Sequence, residues 1–202
     1  MKFYTISFIV VVVISLVFLI PFNSNAAVLT IINPSDDGAV YSSGSVDNAG
    51  YFMSHSSCRG VVEFPLSSIE GIVEEAILSV NPYGLPIWDD TIELYGYKSS
   101  DGVLTTADYN AGNFLGVWTL PQDLNYGQDV FYDVTDFISN VDSPFVGFNL
   151  RTSDVAILSS LEYNYGHPAQ LRISTIPEPA TLSLLGLGLL GLLFRKKSTS
   201  CF

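Results

Sequence analysis

Gly60-Val61-Val62-Glu63-Phe64-Pro65-Leu66 is the stretch that decides the fold. Every second residue from Val62 (Val62, Phe64, Leu66) is apolar, so the extended chain has one face that must be buried. The same period of two recurs on either side. Ala76, Leu78 and Val80 share a face, and Ile92 and Leu94 alternate with Glu93 and Tyr95. Val146, Phe148 and Leu150 share another, and Leu171 and Ile173 alternate with Arg172 and Ser174. Turn signals separate the runs: Asp36-Asp37-Gly38, Asn48-Ala49-Gly50, Asn81-Pro82-Tyr83-Gly84, Asp101-Gly102, Asn125-Tyr126-Gly127 and Tyr165-Gly166-His167-Pro168. Short strands at this spacing predict an all-β, antiparallel β-sandwich, and about ten strands favour a jelly-roll-like form. Two helical turns are expected, one capped by Thr105 or Thr106 and one over Thr135-Asp136-Phe137-Ile138.

Outside this region the pattern changes. Met1 to Thr5 carries one lysine, Ile6 to Ile20 is apolar apart from Ser7 and Ser15, and Pro21 ends the run. Ser24 and Ala26 place small residues three and one before Ala27. This is the pattern of a secretory signal peptide over 1–26, cut between Ala26 and Ala27; an uncleaved signal anchor is the alternative, since Phe3 to Phe22 is long enough to span a bilayer. At the other end Ile176-Pro177-Glu178-Pro179 precedes an apolar stretch, Ala180 to Phe194, closed by Arg195-Lys196-Lys197. As a helix those residues span roughly 22 Å, against about 30 Å for a bilayer core. Gly186, Gly188 and Gly191 weaken it further. The basic end stays cytoplasmic by the positive-inside rule, so the main domain lies outside, held through a marginal C-terminal helix. The expected organisation is a signal-peptide helix over 1–26, a sandwich over 27–175 and a tail with a hydrophobic helix over 176–202.

Pro177-Glu178-Pro179, the short Gly/Leu-rich segment and the basic end resemble the PEP-CTERM sorting signal. The resemblance implies export by an exopolysaccharide-producing Gram-negative bacterium. It also implies recognition of Pro177, Glu178 and Pro179 by an exosortase, a membrane-embedded cysteine protease or transpeptidase, with Arg195, Lys196 and Lys197 as the cytoplasmic stop. The five residues after Lys197 make this end a little longer than is usual in the family. Phe64-Pro65-Leu66-Ser67-Ser68-Ile69, the later Asp133-Val134-Thr135-Asp136 and the closing Leu171-Arg172-Ile173 resemble the DNRLRE family of carbohydrate-binding-module-like sandwiches. The sequence departs from that family near Ser159-Ser160-Leu161-Glu162, where an arginine often precedes the glutamate.

The chain has 8 Lys+Arg against 20 Asp+Glu. Setting aside Glu178, Lys2, Arg195, Lys196 and Lys197 leaves 19 acidic and four basic residues in the central domain, near −15. That balance excludes a nucleic-acid partner, whose phosphates require cations. His55 and His167 are the only imidazoles and neither has catalytic or metal-ligand spacing. The expectation is a protein that is not an enzyme and needs no cofactor, with a structural Ca²⁺ on Asp36, Asp37, Asp89 and Asp90 as the one metal alternative. Cys58 and Cys201 fall on opposite sides of the membrane, so Cys58 is expected to be a buried lone thiol. Trp88, Tyr95 and Tyr97, with Tyr83, are candidates for stacking against sugar rings; Tyr163 and Tyr165 form a second pair. The function expected is a structural or adhesive component of the cell surface or extracellular matrix, linked to exopolysaccharide. A carbohydrate-active enzyme or its binding subunit and a permanently anchored membrane protein are the alternatives.

Overall fold

The computed structural model describes residues 26–48, 52–82, 91–119, 128–152, 156–161 and 167–177. Twelve strands fall in these residues: β1 (Val28–Ile32), β2 (Asp36–Tyr41), β3 (Val46–Asp47), β4 (Phe52–Ser54), β5 (Cys58–Pro65), β6 (Ile72–Val80), β7 (Thr91–Ser99), β8 (Asn113–Thr119), β9 (Val130–Asp133), β10 (Phe145–Arg151), β11 (Ala156–Leu158) and β12 (Gln170–Ile176). A four-stranded sheet runs β1-β12-β6-β9 and a six-stranded sheet runs β3-β2-β5-β10-β7-β8. β4 and β11 form a separate two-stranded ribbon. Every ladder is antiparallel.

The predicted alternation becomes the buried layer. Val62, Phe64, Ile92, Leu94, Val146, Phe148 and Leu150 come from the larger sheet, and Ala76, Leu78, Val80, Leu171 and Ile173 from the smaller. Each Leu or Phe contributes roughly 1.5–3 kcal/mol by leaving water. Phe148 sits at the centre, edge-on to Phe64 at 6.1 Å and to Phe137 at 5.7 Å. Trp118 ties the sheets together at one edge. Its ring packs edge-on to Tyr132 at 5.7 Å, and its Nε1–H donates to the Phe131 carbonyl of β9 at 3.1 Å.

Both predicted helical turns are present. The first is a 3-10 turn, Thr106–Asn110. It is entered through Asp108, whose carboxylate accepts from the Thr105 amide at 2.7 Å and hydroxyl at 2.9 Å. The second is helix α1 (Thr135–Ser139). Thr135 Oγ1 accepts from the Ala76 amide at 2.9 Å, which fastens α1 to β6. Among the described residues no helix is long and apolar enough to cross a membrane. The helices expected at the two ends fall outside the described residues.

A smaller apolar cluster lies on the outer face of the larger sheet. The segment leading into the 3-10 turn folds back over it, so that Val40, Val61 and Leu104 pack with Val46, Tyr97 and Tyr109. The Asp36 carboxylate helps to hold that segment down by accepting from the Leu104 amide at 2.9 Å.

Candidate functional site

Two places carry the functional expectations: the junction between β12 and the C-terminal tail, and the outer face of the larger sheet. At the junction, β12 lies between β1 and β6, so it is an interior strand of its sheet. Thr175 pairs with Val28 and Ile176 with Ile72. A bulge in the β6–β12 ladder falls between Ser174 and Thr175. Pro177 follows at once and is exposed; without an N–H it cannot extend the ladder. Gly71 packs against this end at φ +92, and a Cβ on it would come within 2.5 Å of the Ile176 carbonyl oxygen. Val28, Thr30, Ser68, Glu70, Gly71, Thr175 and Pro177 line a groove of about 400 Å³ there. Ala26 and Ala27 are exposed just before β1, so the two ends of the sandwich leave from paired strands. Glu178, Pro179, Arg195, Lys196 and Lys197 lie outside the described residues.

On the outer face of the larger sheet, register puts the side chains in rows. Val61, Asn149, Tyr95 and Phe114 form one row across β5, β10, β7 and β8. Glu63, Gly147 and Tyr97 form the next. Tyr97 lies over Gly147, where any Cβ would collide with its ring. Its hydroxyl donates to Glu63 Oε1 at 2.7 Å, and Ser99 Oγ donates to Glu63 Oε2 at 2.7 Å. Glu63 is only 1% exposed. Burial raises its pKa above the usual carboxylate range, and Asp108 and Asp101 add to the rise against the two hydrogen bonds. Burial likewise pushes the Tyr97 phenol far up, helped by Glu63. Tyr97 is therefore part of a buried polar network, with little ring face left for a ligand.

Tyr95 is more open. The Arg151 guanidinium lies over its ring at 3.7 Å, Phe114 meets it edge-on at 5.5 Å, and its hydroxyl donates to Glu93 at 3.0 Å. Phe114 is 56% exposed and Val117, on the same face, 51%. Trp88, Tyr83, Tyr163 and Tyr165 lie outside the described residues. Sequence reasoning missed the arginines on this face; a lone Arg151 closing an alternating run carried no signal of what lies across from it.

Asp36 and Asp37 are neighbours on β2, so their side chains point to opposite sides of the sheet. Asp36 binds the Leu104 amide, whereas Asp37, fully buried, accepts from the Leu161 amide at 3.1 Å. They cannot close around one ion together. Asp89 and Asp90 lie outside the described residues. Among the described residues no three His, Cys, Asp or Glu side chains gather as metal ligands would. His55 Nδ1 accepts from the Ser57 amide in the tight turn before β5, and His167 is exposed. Cys58 is a fully buried thiol rather than a disulfide, its pKa pushed up to about 11 by burial.

No curated protein matches the chain. Residues 175–197 fit the PEP-CTERM protein-sorting motif, which marks the chain as an exported, exosortase-targeted protein of the surface or extracellular space.

Proposed function

We propose that this protein is a structural and adhesive component of the cell surface or extracellular matrix, associated with exopolysaccharide and acting without catalytic turnover. In this reading the jelly-roll-like sandwich is the working part, and the sorting motif is an address removed on delivery. The observation that supports it is the position of the motif. Pro177 follows the last residue of an interior strand, so a cut after it leaves every described strand in place. A protein meant to persist as a displayed scaffold needs that arrangement. Contact with glycan falls to the outer face of the larger sheet, around Tyr95 and Phe114, where exposed aromatic surface lies beside hydrogen-bonding groups.

Intact-mass analysis of the mature protein from its native host, with and without the exosortase, tests the reading. The expected result is a C-terminus between Pro177 and Ala180 in the first case alone, with the released protein then retained on a glycan array. A C-terminus at Phe202 in both strains overturns the processing, and an array without a binder overturns the glycan association.

A further inference from the structure

The central domain has only four basic residues, Arg59, Lys98, Arg151 and Arg172. Arg172 is accounted for by Asp129, 3.8 Å away. Two of the others are set side by side. The β5–β10 register pairs Leu150 with Gly60, so the next step places Arg151 opposite Arg59. Both lie on the outer face, in the row beside Asn149 and Val61. Like charges directly opposite on neighbouring strands repel and are unfavourable for a sheet. With 19 carboxylates available in the domain, the fold would be expected to place one between them. Among the described residues no carboxylate lies within ion-pair distance of either guanidinium.

Each guanidinium is held by an aromatic face instead. Arg151 lies over Tyr95 at 3.7 Å and Arg59 over Tyr109 at 5.3 Å. Arg151 is oriented further by Nε donating to Asn149 Oδ1 at 3.1 Å and by an Nη2 donation to the Ala111 carbonyl at 3.0 Å. Asn149 is itself fixed, donating to the Asp108 carbonyl at 2.6 Å. The Tyr95 side chain and the charge of Glu93 also act on the Arg151 guanidinium, against the nearby Arg59. Arg59 Nε is buried and has no acceptor among the described residues. Glu93, opposite Arg151 on β7, accepts from the Tyr95 hydroxyl, and its charge favours the Arg151 cation without closing to an ion pair. The result is a pair of pre-oriented guanidiniums with no ion-pair partner among the described residues, on the face that carries exposed Phe114.

We propose that Arg59 and Arg151 form an anion site for an acidic glycan, binding the carboxylate of a uronic acid. The proposal rests on the glycan reading above and names the chemical class of ligand. A carboxylate matches the planar fork of a guanidinium bidentately. An overall charge near −15 would otherwise turn an acidic polysaccharide away, and two local cations allow contact without a bridging divalent metal.

The test uses the mature protein and immobilised polygalacturonate in the presence of EDTA. Its methyl-esterified form, dextran sulfate and a neutral glucan serve as comparison arms. The expected result is retention on polygalacturonate, at least ten-fold weaker in Arg59→Gln and in Arg151→Gln, with no retention on the esterified polymer. Soluble polygalacturonate should raise the melting temperature of the wild-type protein but of neither variant. Without ligand, Arg59→Gln should melt no lower than wild type, since it removes the repulsion; this guards against loss of fold. Binding that disappears in EDTA, survives both substitutions, or is equal on the esterified polymer overturns the proposal. Retention on dextran sulfate alone overturns the carboxylate assignment. Retention on the neutral glucan, unchanged in both variants, overturns the anion site and leaves the glycan reading standing; retention on none of the polymers removes both.

Discussion

Two buried groups show what the environment of a single side chain does to its chemistry. Cys58 has a pKa of about 11 because burial disfavours the thiolate, an effect that the His55 hydrogen bond and the nearby Arg59 only partly offset. At pH 7.5 it should react with a thiol-specific disulfide reagent at least a hundred-fold more slowly in the native protein than after denaturation. A comparison of reaction rates with and without guanidinium chloride checks this. Glu63 works through proton linkage. Its folded pKa lies above the unfolded one, so the native state holds the proton more tightly. Stability is then greatest below the unfolded pKa and declines as pH rises towards the folded value, by up to about 1.4 kcal/mol per pH unit within that window. Glu63→Gln should flatten this decline, measured as urea midpoints between pH 4 and 8. A slope unchanged by the substitution would assign the effect to another group.

At the scale of elements, the tightest constraints are where backbone meets backbone or a ring. Gly71 holds φ +92 with the Ile176 carbonyl against it. Gly71→Ala combines a left-handed residue with a collision against the last strand, and should cost at least about 1–2 kcal/mol. The chemical-denaturation midpoint reports that loss. Phe148, edge-on to two other rings at the centre of the core, should cost about 3–5 kcal/mol when cut to alanine. The alternation in β5, β6, β7, β10 and β12 was legible in the sequence because a half-buried strand must repeat every two residues. The fold-over before the 3-10 turn was not. Leu104 is a lone apolar residue in a turn-rich segment, and only the cluster of Val40 and Val61 beneath it gives it a place. The same limit applied to Tyr97. Its position in an alternating run matches an exposed ring, yet the opposing Gly147 and the buried Glu63 draw it into the sheet.

At the scale of the whole molecule, the first strand pairs with the last, Val28 opposite Thr175. The small sheet therefore cannot close until the chain has been exported as far as β12. Ending the chain at Pro177 should leave the melting temperature within about 2 °C of the processed protein. Ending it at Gln170 should abolish cooperative unfolding, because β1 would lose the strand it pairs with and β6 one of its two neighbours. Circular dichroism melts of the two truncations decide this.

The sequence by itself determined the class of fold, the exported character and the sorting tail, because each is written in local order: a period of two, an apolar run, a Pro-Glu-Pro beside a basic end. The tertiary structure alone decided which strands are neighbours, and so which side chains meet. Arg59 and Arg151 stand 92 positions apart in the chain, and Glu63 meets Tyr97 and Ser99 from a distant strand. The reason is that sheet register is a long-range choice. It is set by which apolar faces pack together across the sandwich, and no window of sequence contains both partners.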